Sequence, residues 1–279
     1  MSRIIFVTDI HGNRRSYGEL FDHAAAEGAD AVVFGGDVTP LFPHDDTNPV
    51  LYQRRWIEEF MAPAFRRFHE QHPRCTIYTM FGNDDWLSNY DLFEALEREG
   101  ACRLLHLKAQ PFLDGLSIAG YSCVPLTPFY MKDLDRFDSP SWTPLEVPRR
   151  CKVSENGQVR EVSLEEIRRR PTIQEDLSRL STMSDPGRTV YVVHTPPAGT
   201  KLDLLHDGTH IGSPALREFI ETHKPPLTLH GHIHESPEIS GEISDRIGPT
   251  FSVNPGASLH YLQAVSFDLE QPARTLKQL

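Results

Sequence analysis

Ile4-Ile5-Phe6-Val7-Thr8-Asp9-Ile10-His11 opens the chain with four apolar residues followed closely by two residues of metal-ligand type. A short apolar run of this kind reads as a strand buried on both faces. The same phrase returns four times. Ala31-Val32-Val33-Phe34 precedes Asp37, Ile77-Tyr78-Thr79-Met80 precedes Asn83, Val190-Tyr191-Val192-Val193 precedes His194, and Leu227-Thr228-Leu229 precedes His232 and His234. Ligand sites in open α/β sheets lie in the crevice beyond the carboxyl ends of the strands. The pattern therefore predicts an α/β fold in which five strands deliver two Asp, one Asn and four His to one rim.

Residues 1–37 read strand, helix, strand. The helix, about Ser16 to Glu27, has Tyr17, Leu20, Phe21 and Ala24 on one face and ends at Gly28. Residues 38–50 carry Pro40, Pro43, Pro49, Asp45, Asp46 and Asn48 and are expected to form a loop. A second helix over 51–72 carries Trp56, Phe60, Phe65 and Phe68, and Pro63 should kink or divide it. A strand at 76–81 and a short helix near 91–99 follow. Strands near 103–107 and 116–121 suggest a move to a second sheet.

Residues 122–150 hold five prolines and the aromatics Phe129, Tyr130, Phe137 and Trp142, so an irregular but ordered excursion is expected, either a packed surface loop or a substrate lid. Residues 163–182 read as one helix with a capping box from Ser163 to Glu166, and Arg168-Arg169-Arg170 reads as its solvated face. Ser213-Pro214 starts a helix to about His223. The tail from Thr250 to Leu269 reads as paired strands around Asn254-Pro255-Gly256. No repeat or linker is visible, and one domain over 1–279 is the simplest organisation.

The 279 residues are 39% hydrophobic, enough for a sizeable core. No apolar run approaches the roughly 18 residues that span a membrane. Met1-Ser2-Arg3 leads directly into the first strand, which points to a cytoplasmic protein. Cys75, Cys102, Cys123 and Cys151 are scattered and read as reduced, buried thiols. The net charge of −11, with no basic stripe, argues against a nucleic-acid partner and leaves a small phosphorylated substrate open. Oligomeric state, including a homo-oligomer, is left open.

Asp9 and His11 are two apart beyond a strand, as are His232 and His234, a spacing that turns both members to one side. Gly35, Gly36, Gly82 and Gly231 precede ligands where the backbone must turn sharply. Imidazole with carboxylate suits Mn, Fe, Zn, Co or Ni, and the lack of Cys argues against a thiolate site. Seven ligands exceed one tetrahedral ion and suit two ions about 3.5–4 Å apart sharing a carboxylate.

Asp9-Ile10-His11, Gly36-Asp37, Gly82-Asn83, His194 and Gly231-His232-Ile233-His234, in that order, resemble the calcineurin-like metallophosphoesterases. The segments around His194-Thr195-Pro196-Pro197, Lys201-Leu202-Asp203, Ile211-Gly212-Ser213 and His234-Glu235 are similar to the bacterial Icc-related phosphohydrolases. The resemblance implies a four-layer α/β/β/α sandwich of two mixed sheets. It implies two divalent ions, Mn²⁺ foremost: one on Asp9, His11, Asp37 and His234, the other on Asp37, Asn83, His194 and His232. It further implies hydrolysis of a small phosphate ester by hydroxide bridging the ions, with Asp37, Asn83 and His194 in the catalytic set.

One position departs from the family pattern. The His that usually follows Gly-Asn is replaced by Asp84, with Asp85 beyond it. Asp84 is either a general acid of raised pKa or has left the role vacant, and an anion there favours phosphodiesters over more highly charged monoesters. The second and third motifs lack the Arg of the protein phosphatases. His210 and Lys201, near the Gly212-Ser213 helix start, are candidate substrate contacts together with Asn83. His230 reads as a core histidine, Trp86 as pocket wall or core, and Asn254-Pro255-Gly256-Ala257-Ser258 as a metal-side loop or a simple turn. The rival readings are a metal- or nucleotide-binding scaffold with little turnover, Asp84 marking decay, and a nuclease.

Overall fold

Alternate residues of each central strand serve two different cores, and this alternation sets the architecture. A computed structural model describes residues 2–41 and 48–279. The first sheet has the order β16-β15-β1-β2-β3-β4, built from Lys277–Gln278, Ala264–Asp268, Arg3–Val7, Ala31–Phe34, Thr76–Thr79 and Arg103–Leu104 respectively. The second has the order β13-β14-β12-β11-β6-β5, from Ser244–Ile247, Thr250–Val253, Leu227–Leu229, Thr189–Val193, Ser117–Tyr121 and Lys108–Pro111. Ile4, Phe6, Val33 and Phe267 of one sheet meet Ile118, Val190, Val192, Leu229 and Val253 of the other in a dry layer. The alternate residues Ile5, Val7, Val32 and Phe34 turn outward instead. They pack under helices α1 (Arg14–Glu27) and α3 (Ala62–Gln71) through Tyr17, Leu20, Phe65 and Phe68. Tyr191 and Val193 do the same under α6 (Ile173–Leu180) and α7 (Pro214–His223). The result is the four-layer α/β/β/α sandwich with two mixed sheets.

The long second helix is divided in the turn that precedes Pro63. A π-helical turn at Ile57–Met61 separates α2 (Pro49–Trp56) from α3, and Pro63, in the first turn of α3, has no N–H to bond back into it. Residues 42–47 of the proline-rich loop expected before it, including Pro43, Asp45 and Asp46, lie outside the described residues, and Pro49 and Val50 at its end already belong to α2.

Several expectations fail for reasons of long-range pairing. Residues 103–104 form the edge of the first sheet, pairing parallel to β3, so the move to the second sheet comes one strand later, at β5. The tail strands are not partners: β14 pairs with β12 and β13 in one sheet, and β15 pairs with β1 and β16 in the other. Residues 254–263 thus cross between sheets. The expected helix at 163–182 is two, α5 (Leu164–Arg168) and α6, because Pro171 cannot continue the first. Ser163 does cap α5, but the reciprocal capping box belongs to Thr172 and Glu175, while Glu166 pairs with Arg160.

The excursion at 122–150 is fixed by polar contacts. Lys132 and Asp135 form a fully buried ion pair at 2.6 Å, and Thr127 donates twice to the same carboxylate. Asp133 accepts from the amides of Leu87 and Ser154. Arg168 and Arg169 of the arginine run are exposed, as expected of a solvated face, but the run also braces the excursion: the Arg168 guanidinium lies 3.9 Å from the Phe137 ring centroid, and the half-buried Arg170 donates to the carbonyls of Lys132 and Asp133. A hairpin that the sequence reading missed, β9 (Lys152–Glu155) with β10 (Gln158–Glu161), follows directly.

Candidate metal centre

The carboxyl ends of β1, β2, β3, β11 and β12 open onto one rim, because the strands within each sheet run parallel here. From these ends come Asp9 and His11, Asp37, Asn83, His194, and His232 and His234. Asp9, His11, Asp37, Asn83 and His194 are buried, while His232 and His234 are half-buried, the His234 side chain 38% exposed. Asp9, His11, Asp37 and His232 adopt positive φ (51°, 42°, 50° and 66°). Backbone of this kind is costly for a residue with a Cβ, and its clustering is characteristic of functional sites.

The glycines beside these residues are equally constrained. A Cβ on Gly82 would stand 2.5 Å from the Asp37 amide nitrogen and 2.6 Å from His194 Nε2. A Cβ on Gly231 would stand 2.3 Å from Asp9 Oδ2.

Donor atoms converge here, each carboxylate keeping one oxygen on protein donors (Asp9 Oδ2 on the His232 amide and the Thr8 hydroxyl, Asp37 Oδ1 on the Asp84 amide) and turning the other to the histidines. His11 Nε2 faces His234 Nε2 at 3.3 Å, and His234 Nε2 lies 3.1 Å from Asp9 Oδ1. His194 Nε2 lies 3.2 Å from both Asp37 Oδ2 and Asn83 Oδ1. Its Nδ1 faces the Gly35 carbonyl at 2.8 Å, which directs Nε2 into the site, the usual orientation of a metal-binding imidazole. Asp9, His11 and His234 form one group that could hold an ion, Asp9, Asp37 and His194 a second, and His11, Asp37 and Asp84 a third. Their shared members suit adjacent ions with a common carboxylate. His232 is outside these groups; its ring centroid is 5.4 Å from that of His194, and its ring makes no hydrogen bond among the described residues. His11 Nδ1 is likewise buried without a partner.

Electrostatics favour cations here. Burial would raise Asp9, but His234 and His194 hold its carboxyl well below the usual range. Burial would likewise raise Asp37, and His194 and His11 pull it down. Burial alone would depress His194, yet Asp37 and Asp9 hold it up at about 10. His234 is held at about 9 against burial by Asp9. His11 is lowered by burial, and His232 is lowered by burial and His194 to about 3. Two carboxylates thus draw positive charge, while two imidazoles stay neutral and ready to ligate. The residues fit a pair of divalent ions.

Asp84 points into the site. Its amide donates to Asp37 Oδ1 at 2.7 Å, and its Oδ1 accepts from Asn83 Nδ2 at 3.1 Å. Burial, then Asp37 and Asp85, push its carboxyl up to about 8. Asp85 has a different task, which sequence reasoning passed over. It is buried, and its carboxylate accepts from the amides of Val38 (3.1 Å), Thr39 (2.8 Å) and Gly82 (2.9 Å) and from the Thr39 hydroxyl. One side chain therefore ties the Asp37 loop to the Asn83 loop. Asn254 does the same for the histidine loop: Nδ2 donates to Ile233 O and Leu202 O, and Oδ1 accepts from Gly256 N.

The remaining expected residues are engaged as follows. Lys201 Nζ reaches Glu242 at 3.3 Å. His210 Nδ1 bonds Asp203, a buried carboxylate that also gathers the amides of Gly199, Thr200 and Gly212. His230 is a satisfied core residue, its Nδ1 3.0 Å from Val193 O and its Nε2 2.8 Å from Thr228 Oγ1. Trp86 is fully buried, against Val50 and Met131.

The sequence profile of the calcineurin-like phosphoesterases matches residues 2–236, and the chain belongs to that family, whose members are hydrolases dependent on a dinuclear metal centre. No curated protein sequence matches it. One crystal structure superposes with a TM-score of 0.67 at 17% identity, covering 99% of this chain and 98% of its own. TT1561 of Thermus thermophilus superposes at 0.61 with 18% identity, over 100% of this chain and 98% of that one. A dimetal phosphatase from Danio rerio gives 0.52 at 11% identity, over 95% and 91%. At these identities the likeness is one of fold. No helix among the described residues is long and apolar enough to cross a membrane.

Proposed function

We propose that the chain is a dinuclear metal-dependent phosphodiesterase acting on a small ester, with Mn²⁺ as the working metal. Asp9, His11, Asp37 and His234 would hold one ion, and Asp37, Asn83, His194 and His232 the other, with Asp37 common to both. When bound, the pair supplies Lewis acidity and a nucleophilic water for in-line displacement at phosphorus. The observation that supports the reading is the convergence of imidazole and carboxylate ligand atoms from five strand ends on strained backbone.

The chain's own residues do the rest. Asn83 Nδ2, which also donates to Asp84 Oδ1, would help to orient the ester. The Asp84 carboxyl faces the same space, and its proton could pass to the leaving oxygen. While it holds that proton the carboxyl is neutral; once ionised beside Asp37 it would repel a monoester dianion more than a diester monoanion, which supports diesters. The location we favour is the cytoplasm, since Cys75, Cys102, Cys123 and Cys151 are all free and buried. The net charge of −11 supports a small substrate over nucleic acid.

The test is hydrolysis of bis(p-nitrophenyl) phosphate against p-nitrophenyl phosphate by the Mn²⁺-loaded chain. Faster diester cleavage is expected, with the preference falling in Asp84→His. A monoester preference in the native chain would contradict the diester assignment.

A further inference from the structure

Large exposed aromatic side chains are few among the described residues, and two of them are adjacent. Among the described residues the large exposed aromatics are Phe129 (63%), Tyr130 (39%) and Tyr261 (58%). Phe129 and Tyr130 stand on the excursion that docks beside Trp86, the third residue after candidate ligand Asn83. Tyr261 shares a small cleft with Thr8, Asp9 and Ile10, on the other flank of the site.

Tyr130 is held on two sides. The Tyr130 carbonyl accepts from the Lys152 amide at 2.7 Å, and the Lys152 ammonium lies 5.5 Å from the Tyr130 ring centroid. The ring centroid of Trp86 is 6.3 Å away. Met131, next in sequence, is buried in the cluster of Val50 and Trp86. Met131 is thus buried while the two rings before it stay exposed. Trp86 follows Asp84 by two residues, and the Asp84 amide donates to Asp37 Oδ1, so the Tyr130 ring packs beside the loop that carries Asp84 into the site.

We propose that Phe129 and Tyr130 form a platform for a flat aromatic group on the substrate, so that the site takes nucleoside or aryl phosphate esters in preference to alkyl ones. This deepens the phosphoesterase reading and rests on it. An aromatic face offers stacking to any planar ring, and such contacts change affinity by about five- to a hundred-fold per ring. Rigid presentation avoids the ordering cost that a mobile loop would impose. The phosphate would be placed by the metal centre, and the ring would select which ester group is presented on the Asn83 flank.

The test compares two ligands with the same phosphate, AMP and ribose 5-phosphate, by calorimetry on the full chain loaded with Mn²⁺. Native protein is expected to bind AMP about tenfold more tightly. That ratio should fall towards one in Tyr130→Leu and in Phe129→Ala, while the affinity for ribose 5-phosphate stays unchanged. Leucine keeps the apolar contact with Trp86, so the excursion stays docked. A native ratio near one would overturn the platform without any variant. Loss of affinity for both ligands alike in the variants would also overturn it, by showing a merely structural role. Failure of the phosphoesterase reading looks different: no Mn²⁺-dependent hydrolysis of bis(p-nitrophenyl) phosphate by the native chain.

Discussion

Asp85→Asn should damage the protein more than any change at its neighbour Asp84. The Asp85 carboxylate spends both oxygens on four donors: Oδ1 on the amide and hydroxyl of Thr39, Oδ2 on the amides of Val38 and Gly82. An asparagine keeps one oxygen and replaces the other with an NH₂ group that cannot accept. With the NH₂ turned to Thr39, the hydroxyl can accept from it and the Thr39 amide alone loses its acceptor; turned the other way, the Val38 and Gly82 amides both lose theirs. Each such loss costs about 1–3 kcal/mol, so the expected destabilisation is about 2 kcal/mol. That is a sizeable share of the roughly 5–15 kcal/mol that holds a folded chain together. With a urea m-value of roughly 3 kcal/mol/M, the unfolding midpoint should drop by about 0.7 M. Mn²⁺ affinity should fall as well, because the bonds lost join the Asp37 loop to the Asn83 loop. Asp84→Asn serves as the comparison, since Asp84 accepts only from the Asn83 side chain and should shift the midpoint by less than about 0.3 M. Equal midpoints for the two variants would refute the division of roles between these adjacent aspartates.

Gly82→Ala should lower Mn²⁺ affinity by about a hundredfold or more while leaving a folded chain, because its methyl would press on Asp37 and His194; calorimetric titration with circular dichroism checks both parts. In the metal-free chain, His194 near 10 and His234 near 9 are both raised above the ordinary 6.5, so their stabilising contribution is full below about pH 6.5 and fades as pH rises through 9 to 10. Metal binding near neutral pH must displace both protons, and titration in buffers of different ionisation enthalpy should show a release of about two per chain; a release near zero would contradict the ligand assignment. Burial pushes the Cys75 and Cys102 thiols up to about 12, so a thiol-specific chromogenic reagent should leave them unreacted in the folded protein and modify them only after denaturation.

The strand ends were legible because each is written locally. An apolar run followed by Asp, Asn or His states both the strand and the direction in which its end delivers a ligand, as at Val7 and Asp9 or Val193 and His194. Supports assembled from afar were not legible. Nothing near Asp85 in sequence distinguishes it from Asp84; the amides that claim it lie 46 and 47 residues earlier. The crossing at 254–263 was misread as a hairpin turn because Asn254-Pro255-Gly256 has turn composition. Its real task is to hold the loop of His232 and His234, and Asn254 does so through carbonyls of distant residues. The hairpin at 152–161 has little apolar alternation, since its outward residues are charged, and so gave no periodic signal.

Stepwise titration of Mn²⁺ into the metal-free chain, following bound metal and hydrolysis of bis(p-nitrophenyl) phosphate in the same samples, tests the dinuclear site most directly. Two ions should bind per chain, with hydrolysis appearing as the second fills, and Asp37→Asn should lose both the second ion and the activity. Full activity with one ion, or hydrolysis that survives Asp37→Asn, would contradict it.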